Sequence, residues 1–464
     1  RGYAKDSCGR QLQLTRMSRR TVLSGGATVI SCTLFTFTLE RTMHPHVYRW
    51  LIFGLFSLAY LGVFAQRMGM AVISPDLQSS LALSPFQMGV LGSTTFYSYA
   101  LFILFSGFLS SKFGPRNCMG ILFGLAGIGT LLFVSVDSFP LLIFGALLIG
   151  LGTSIVVTAG TTSFAGWFNV KEYGNVISWF FLFGGIGNII GTAPLSWLVQ
   201  SMGWRVGYGS IAILMITMAV LAFFIVRQPP EDYVVADDLS SSSSGAPKAS
   251  LLSVLGSAMK NKNFWCIAIW YMTIAAVHYA FNGMWAGLYI TDVYHLSKLE
   301  IGGILTLGAV GFSIGNPIVM WLSSHVFHSF RIGMAMVNIL ALIGAAMIAF
   351  CTESLPYWSL YLVTLFIGLS VAASSIAYTA TRVVFGARMA GPLAGVWSFV
   401  LFGGGGCMQL IIGSCVNSAK SAGLPLGGSY HTAFMILFVC SIIGTIAGLL
   451  LKDVYKDTVQ GAER

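Results

Sequence analysis

Leu83-Ser84-Pro85-Phe86-Gln87-Met88-Gly89 recurs loosely as Leu296-Ser297-Lys298-Leu299-Glu300-Ile301-Gly302, at an offset of 213 residues. A second pair of stretches is related in the same way: residues 180–187 (FFLFGGIG) reappear as residues 399–406 (FVLFGGGG), at an offset of 219. Two repeats at nearly the same offset predict that the chain consists of two related halves.

The composition places these halves in a membrane. Of the 464 residues, 56% are hydrophobic and 9% are charged, whereas charged residues make up about a quarter of a soluble domain. The apolar runs are long enough to cross the bilayer as helices of about 20 residues. We therefore predict an all-α polytopic membrane protein with twelve transmembrane helices in two pseudo-symmetric six-helix bundles. The predicted spans, numbered 1 to 12, are about 49–73, 86–110, 117–136, 139–163, 173–199, 204–226, 263–291, 300–323, 331–351, 356–380, 390–416 and 429–451.

One long polar stretch separates spans 6 and 7. It runs from Arg227 to Lys262 and contains the pair Pro229-Pro230 and the serine run 240–244, a composition typical of a flexible linker. The predicted organisation is a first six-helix half (43–226), a cytoplasmic linker (227–262), a second half (263–452) and a cytoplasmic tail (453–464). Related halves that face each other around a central site are the architecture of transporters that work by alternating access.

The first 42 residues belong to neither half. An apolar stretch from Val22 to Leu39 follows two arginines, which is one form of secretory or twin-arginine signal. A translocated signal would make span 1 enter from outside, against the distribution of charge described next. We therefore expect a tail that is irrelevant to function, with Met43 as the natural start.

The net charge of +10 is explained by topology. If span 1 enters from the cytoplasm, most lysines and arginines fall in cytoplasmic segments, and the opposite side holds Arg205, Lys298 and Lys420. The positive-inside rule then places both ends of the twelve-helix body in the cytoplasm. This predicts a protein of the cytoplasmic membrane with no nucleic-acid partner.

The connection after span 2 carries a motif. Residues 107–116 read Gly-Phe-Leu-Ser-Ser-Lys-Phe-Gly-Pro-Arg, which resembles the loop signature of the major facilitator superfamily, Gly-x-Leu-x-Asp-Lys/Arg-x-Gly-x-Arg. The resemblance implies a secondary transporter in which this loop helps to close the inner gate; the residues at the signature positions are Gly107, Ser111, Lys112, Gly114 and Arg116. Because Ser111 stands where the signature has Asp, the usual charge contact of the gate is weakened or moved elsewhere.

Further motifs narrow the resemblance to anion-type carriers and sugar-phosphate permeases. They are the stretch from Arg67 to Pro75, the pattern Leu83-Ser-x-x-Gln87-x-Gly89, and the triplet Gly203-Trp204-Arg205. Span 5 lacks the Gly-Pro-x-x-Gly-Gly pattern of drug:proton antiporters, which argues against multidrug efflux.

Arg67 is the candidate for binding substrate. It is the one Lys or Arg well within a predicted span, and no Asp or Glu lies deep in any span, since Asp76 is about two turns further out. A guanidinium in hydrocarbon costs at least about 2.5–3.5 kcal/mol, and its fork pairs with carboxylate or phosphate. Arg67 also matches the anion-binding arginine of the resembling carriers. The alternative is an arginine that snorkels outward or caps backbone carbonyls.

Span 7 adds a polar and aromatic stripe. His278 lies near its centre, and His278, Asn282 and Trp285 follow i, i+4, i+7 spacing on a face shared with Tyr271, so that all four are predicted to line the substrate cavity. A histidine titrates near neutral pH, which makes His278 the candidate for proton coupling. The alternative is a neutral histidine bonded to a neighbouring helix.

Two amides and two weaker tyrosine candidates complete the predicted site. Asn188 and Gln409 follow the related glycine runs in spans 5 and 11, and Tyr378 of span 10 is a weaker candidate, as is Tyr99 of span 2. Packing alone also explains the glycines of both runs.

The resulting prediction is secondary active transport of a small organic anion, namely a carboxylate, a sugar acid or an organophosphate. The expected partners are that anion, the lipid bilayer and a coupling ion, either a proton or sodium; we expect a monomer with no cofactor and no metal. The alternatives are a permease for a neutral or cationic solute and a non-transporting membrane sensor derived from this family. No catalytic motif such as HExxH or GxSxG occurs, so we do not expect an enzyme.

Overall fold

The computed structural model describes residues 45–229, 251–385 and 387–453, and these are helical almost throughout. From His46 onward the described residues form one compact unit. The helices, grouped by span, are Pro45–Ser80 (span 1), Pro85–Cys118 with Met119–Phe123 and Gly124–Ser135 (spans 2 and 3), Phe139–Thr153 with Ile155–Trp167 (span 4), Val170–Ile190 with Ala193–Met202 (span 5), Trp204–Ile225 (span 6), Lys262–Ala280 with Phe281–Trp285 and Ala286–Tyr294 (span 7), Lys298–His325 (span 8), Phe330–Phe350 (span 9), Tyr357–Leu369 with Ser370–Ala373 and Ser374–Phe385 (span 10), Ala387–Ser421 (span 11) and Leu426–Leu450 (span 12).

Eleven of the continuous helical runs in the described residues are long and apolar enough to cross a membrane. One of them, Pro85–Ser135, has 51 residues, far more than the roughly 20 that a bilayer requires. The backbone of this run breaks at Gly114, where φ is 78° and ψ is 154°, a conformation that glycine adopts without a steric cost. The run therefore contains spans 2 and 3, and the structure has the twelve spans of an integral membrane protein.

The first repeat of the sequence marks equivalent helix starts. Ser84 accepts a hydrogen bond from the backbone N–H of Gln87, and the Gln87 side chain accepts one from the backbone N–H of Ser84. Ser297 and Glu300 form the same reciprocal capping box. A capping box satisfies two of the backbone donors that a helix start leaves unpaired. The repeat is thus the N-terminal cap of span 2 in one half and of span 8 in the other.

Three short turns within the spans differ from the regular α-helix. Residues Phe281–Trp285 in span 7 and Met119–Phe123 in span 3 form π-helical turns, and residues Ser370–Ala373 in span 10 form a 3₁₀ turn. A separate short helix, Leu251–Ala258, occupies part of the segment that composition predicts as a flexible linker. The predicted N-terminal tail, the acidic part of the linker and all but the first residue of the predicted C-terminal tail lie outside the described residues. The boundaries of the two halves stay predictions.

The halves meet along spans 2 and 11 and along spans 5 and 8. A Cβ placed on Gly89 of span 2 would lie 2.8 Å from the Gln409 backbone oxygen of span 11, and one placed on Gly302 of span 8 would lie 2.5 Å from Ser196 Cβ of span 5. Gly89 and Gly302 are equivalent positions of the first repeat. The missing side chains let both pairs of helices approach closely.

We call the end of the body that carries Asp76 and Lys298 the Asp76 end, and the end that carries Arg116 the Arg116 end. At the Asp76 end, Lys298 Nζ lies 2.7 Å from Asp76 Oδ2, and the Thr192 and Thr306 hydroxyls lie 3.0 Å apart. Both contacts join one half to the other, so the structure is closed at this end.

Toward the Arg116 end, spans 2 and 11 diverge. Tyr97 of span 2 packs against Gly406 of span 11. The residues that continue the same helical face, Leu101, Phe105 and Phe108, are more than half exposed. The face that contacts the other half at Tyr97 is therefore uncovered for the rest of span 2.

Candidate functional site

Arg67 lies in the interior of span 1, and its side chain is 8% exposed. Aromatic rings surround the guanidinium: Cζ lies 4.4 Å from the Phe402 ring centre, 4.6 Å from Tyr99 and 5.2 Å from Phe64. The rings of Phe96 and Tyr279 each lie 6.0 Å away. We call these five residues the aromatic cage. They come from spans 1, 2, 7 and 11, so both halves contribute.

Arg67 forms no ion pair within residues 45–229, 251–385 and 387–453. The ion pairs of this part of the chain join Arg49 to Glu172, Arg205 to Asp137, Lys298 to Asp76, and Lys420 to Asp292. A buried charge requires compensation, and the faces of these rings attract the guanidinium and compensate it in part.

Two small cavities lie beside the guanidinium. One is lined by Arg67, Gln66, Tyr208 and Gln409, and the other by Arg67, Tyr99 and Thr153. The volumes open to the centre of a water molecule are ≈ 20 Å³ and ≈ 10 Å³, which is room for about one water molecule each. An organic solute requires the cage side chains to move.

Gln409 is the predicted site residue that the structure places beside Arg67. Its Nε2 donates a hydrogen bond to the Tyr279 backbone oxygen at 3.0 Å, while Oε1 is buried and has no hydrogen-bond partner in the described part of the chain. A buried acceptor without a donor is costly. Gln409 can therefore hydrogen-bond a water molecule or a solute in the Arg67 cavity.

The four residues predicted to share a lining face in span 7 are all buried against neighbouring helices. Tyr271 donates to the Ser374 backbone oxygen at 3.1 Å, Asn282 to Thr364 at 3.0 Å and Trp285 to Gln409 at 3.2 Å. None of the four lines the two cavities beside Arg67. In this conformation these side chains join span 7 to spans 10 and 11.

His278 is fully buried, and its ring is stacked on Phe312 of span 8, with centres 5.4 Å apart and planes inclined by 17°. Neither ring nitrogen makes a hydrogen bond of good geometry to a described residue, but the backbone of Ile367 in span 10 approaches the ring closely enough to interact with it. Both predicted roles of His278, in the substrate cavity and as a neutral histidine bonded to a neighbouring helix, therefore stay predictions.

Asn188 and Tyr378 are in contrasting surroundings. Asn188 is fully buried, and both polar atoms of its amide lack a partner in the part of the chain that the structure describes. Tyr378 is 41% exposed, and its ring centre lies 6.0 Å from that of Tyr271. Neither residue lines the cavities beside Arg67, and a substrate-binding role for each stays a prediction.

The loop predicted to gate the carrier lies at the Arg116 end. Arg116 Nε donates a 2.6 Å hydrogen bond to the backbone oxygen of Phe223, and Lys112 Nζ lies 5.3 Å from the Phe113 ring centre. The Ser111 hydroxyl donates to the Phe108 backbone oxygen at 2.9 Å. These contacts all stay within the first half, in agreement with an open Arg116 end; Gly107 and Gly114 have open space beside them.

Sequence reasoning missed most of the aromatic cage. Of its members only Tyr99 was a candidate, although Phe64 lies one helical turn before Arg67 and Phe96 one turn before Tyr99. This i, i+3 spacing places each pair on one helix face. The spacing is visible in the sequence, but a single span does not show which helix faces meet in the folded protein.

A family model described as the Major Facilitator Superfamily matches residues 55–409. The chain is similar to a probable sulfoacetate transporter of Cupriavidus necator, at 24% identity over 193 residues, which are 41% of this chain and 45% of that protein. It is also similar to the cis,cis-muconate transport protein of Acinetobacter baylyi, at 24% identity over 417 residues, covering 87% of this chain and 95% of that one. The chain spans about half the length of the first of these relatives.

Among solved structures, the chain resembles a bacterial homologue of the human lysosomal transporter Spinster. The TM-score is 0.69 at 15% identity, with 87% of this chain and 97% of that chain covered. At this identity the likeness shows the fold. The family resemblance and the two-bundle helical architecture predicted from the sequence are thereby confirmed.

Proposed function

Because the chain belongs to the Major Facilitator Superfamily, we propose that it is a secondary active transporter that moves a small organic anion across the membrane by alternating access. The observation that carries this proposal is Arg67, a buried guanidinium without an acidic partner in the described residues. A carboxylate, sulfonate or phosphate supplies the missing negative charge and pairs with the guanidinium through two hydrogen bonds.

In the proposed cycle the two six-helix halves rock around Arg67. The structure corresponds to the state with the Asp76 end closed, and the opposite state requires the Asp76–Lys298 and Thr192–Thr306 contacts to separate. The positive-inside distribution supports a cytoplasmic Arg116 end, with both ends of the body in the cytoplasm. The anion then exchanges with the cytoplasm in the state described here.

We assign the substrate-binding role first to Arg67 and second to Gln409, whose unpaired Oε1 lies beside the same cavity. Because Oε1 only accepts hydrogen bonds, it suits a hydroxyl or a protonated group of the substrate, while the guanidinium takes the anionic group. Asn188, His278, Asn282, Trp285, Tyr271 and Tyr378 remain proposed members of the site in other conformations. His278 is the proposed carrier of a coupling proton.

The comparisons suggest the first compounds to test. Sulfoacetate and cis,cis-muconate are the anions named for two relatives, and the dimethyl ester of muconate and choline provide a neutral and a cationic control. We expect an anion of this panel to raise the melting temperature of the purified protein, because a ligand that binds only the folded state stabilises it. The same anion should enter proteoliposomes.

The variants Arg67→Gln and Arg205→Gln make a matched pair, since Arg205 sits in an exposed ion pair with Asp137. We expect Arg67→Gln to lose the anion-dependent rise and the uptake, and Arg205→Gln to keep both. Stabilisation by the ester or by choline, without an effect of the anions, would favour the permease for a neutral or cationic solute. Binding of an anion without uptake would favour the sensor.

A further inference from the structure

We propose that the aromatic cage takes the place of the substrate anion around Arg67 when the carrier is empty, and thereby allows the empty carrier to change conformation. This inference rests on the proposed function and adds a transport mode to it. A carrier that can return empty performs net transport, whereas one that cannot is restricted to exchanging one anion for another.

The cage geometry fits this role. Phe402 and Tyr99 are closest to the guanidinium, at 4.4 and 4.6 Å from Cζ, and their own ring centres lie 4.4 Å apart. Cations within about 6 Å of a ring centre are attracted by the negative face of the ring, and more strongly when water is excluded. The five rings thus stabilise a charge that no carboxylate of the described residues reaches.

The need for such stabilisation is greatest during the conformational change. Alternating access passes through a state closed at both ends, and in that state Arg67 has no contact with bulk water. An uncompensated guanidinium there would raise the barrier steeply. Phe64, Phe96 and Tyr99 belong to the same half as Arg67 and move with it, so most of the cage is retained while the halves rock.

The test measures conformational exchange of the empty protein and requires no substrate. Fluorophores are attached through unnatural amino acids at Asn117 and Val326, two exposed positions at the Arg116 end, one in each half; the native cysteines remain. Single-molecule energy transfer in liposomes without added anion then reports the opening and closing of this end. We expect the wild type to interconvert between two states.

We expect the double variant Tyr99→Leu/Phe402→Leu to interconvert at least about tenfold more slowly than the wild type, which corresponds to about 1.4 kcal/mol in the barrier. Phe402→Tyr keeps a ring over the guanidinium and should retain the wild-type rate. Phe434→Leu is the matched control and should also retain the wild-type rate, because it removes a buried ring that contacts Phe281, Tyr289 and Tyr430 and no ring of the cage.

A double-mutant cycle separates charge stabilisation from packing. In an Arg67→Ala background the same two leucine substitutions should leave the rate unchanged, since the charge they stabilise is gone. The proposal is overturned if the leucine substitutions slow the exchange equally with and without Arg67. It is also overturned if the wild type stays in one state in the absence of anion, or if the double variant exchanges as fast as the wild type. The proposed function is tested separately, because it fails if no anion binds.

Discussion

Lys298 Nζ lies 2.7 Å from Asp76 Oδ2, and this ion pair joins the N-terminal end of span 8 to the C-terminal part of span 1. It is a charged contact between the halves at the Asp76 end. Asp76 lies two to three helical turns beyond Arg67 in span 1, which is about 13 Å along the helix axis. The pair is therefore too far from the guanidinium to bind the same anion, and we expect it to act on the conformational equilibrium.

Asp76→Asn should shift the equilibrium toward opening of the Asp76 end. The side chains are 20% and 40% exposed, so the pair contributes only about 0.2–1 kcal/mol, or up to about a fivefold shift. The readout is the rate at which a water-soluble maleimide labels a cysteine introduced by Thr192→Cys, a buried position at the contact between the halves. The labelling of the native cysteines, measured in the protein without this substitution, is subtracted. The charge-swapped variant Asp76→Lys/Lys298→Asp should restore the slow labelling. Asp137→Asn, which breaks an ion pair inside the first half, is the control and should leave the rate unchanged.

Gly89→Ala should act on the same equilibrium through packing. The new Cβ would lie 2.8 Å from the Gln409 backbone oxygen and 3.3 Å from Gly413 Cα, and backbone atoms cannot move aside as a side chain can. Overpacking of this kind costs about 1–3 kcal/mol, here only in the state closed at the Asp76 end. We expect faster labelling at Thr192→Cys. Gly54→Ala, which has open space around its Cβ, should show no change; equal effects of the two substitutions would refute the contact.

Arg67→Lys should weaken anion binding while expression and melting temperature of the empty protein stay close to those of the wild type. Lysine keeps the charge but loses the planar fork that pairs with a carboxylate. A hydrogen bond to a charged group is worth about 1.5–3 kcal/mol, so the dissociation constant should rise about 10- to 100-fold in a titration by calorimetry. An unchanged dissociation constant would remove the guanidinium from the site.

His278→Gln tests the coupling hypothesis. Glutamine keeps a polar side chain of similar size but cannot take up a proton near neutral pH. We expect accumulation driven by a pH gradient to be lost, while exchange of labelled for unlabelled anion in the absence of a gradient continues. Equal loss of both activities would mean that His278 is needed for binding or folding and does not carry the proton.

The twelve spans were predictable because each is a continuous apolar run whose length the bilayer dictates. The equivalence of spans 2 and 8 was predictable for a different reason: the Ser-x-x-Gln and Ser-x-x-Glu capping boxes are local, so seven residues suffice to encode them. Arg67 stood out because one charge in an apolar helix is visible without any knowledge of packing.

The lining of the site was harder to predict, and span 7 illustrates why. The i, i+4, i+7 pattern of His278, Asn282 and Trp285 assumes a regular α-helix, but residues Phe281–Trp285 form a π-helical turn. Such a turn inserts an extra residue and rotates the side chains that follow it, about the helix axis, relative to those that precede it. Trp285 is thereby directed toward span 11, where its indole bonds the Gln409 backbone.

The aromatic cage was beyond sequence reasoning for a topological reason. Phe64 and Phe402 are separated by most of the chain, and their rings meet at Arg67 only because spans 1 and 11 pack from opposite halves. Repeats predict that two halves exist, but the faces along which they meet depend on close approaches such as that of Gly89 to Gln409.

The central claim is that the substrate anion binds Arg67 directly. The most direct measurement is a structure of the protein determined with saturating sulfoacetate or cis,cis-muconate, whichever raises the melting temperature. We expect two oxygens of one anionic group to lie about 2.7–2.9 Å from the guanidinium nitrogens, with Phe402 or Tyr99 displaced from the ring contact. An anion bound elsewhere, with Arg67 still enclosed by its five rings, would contradict the claim.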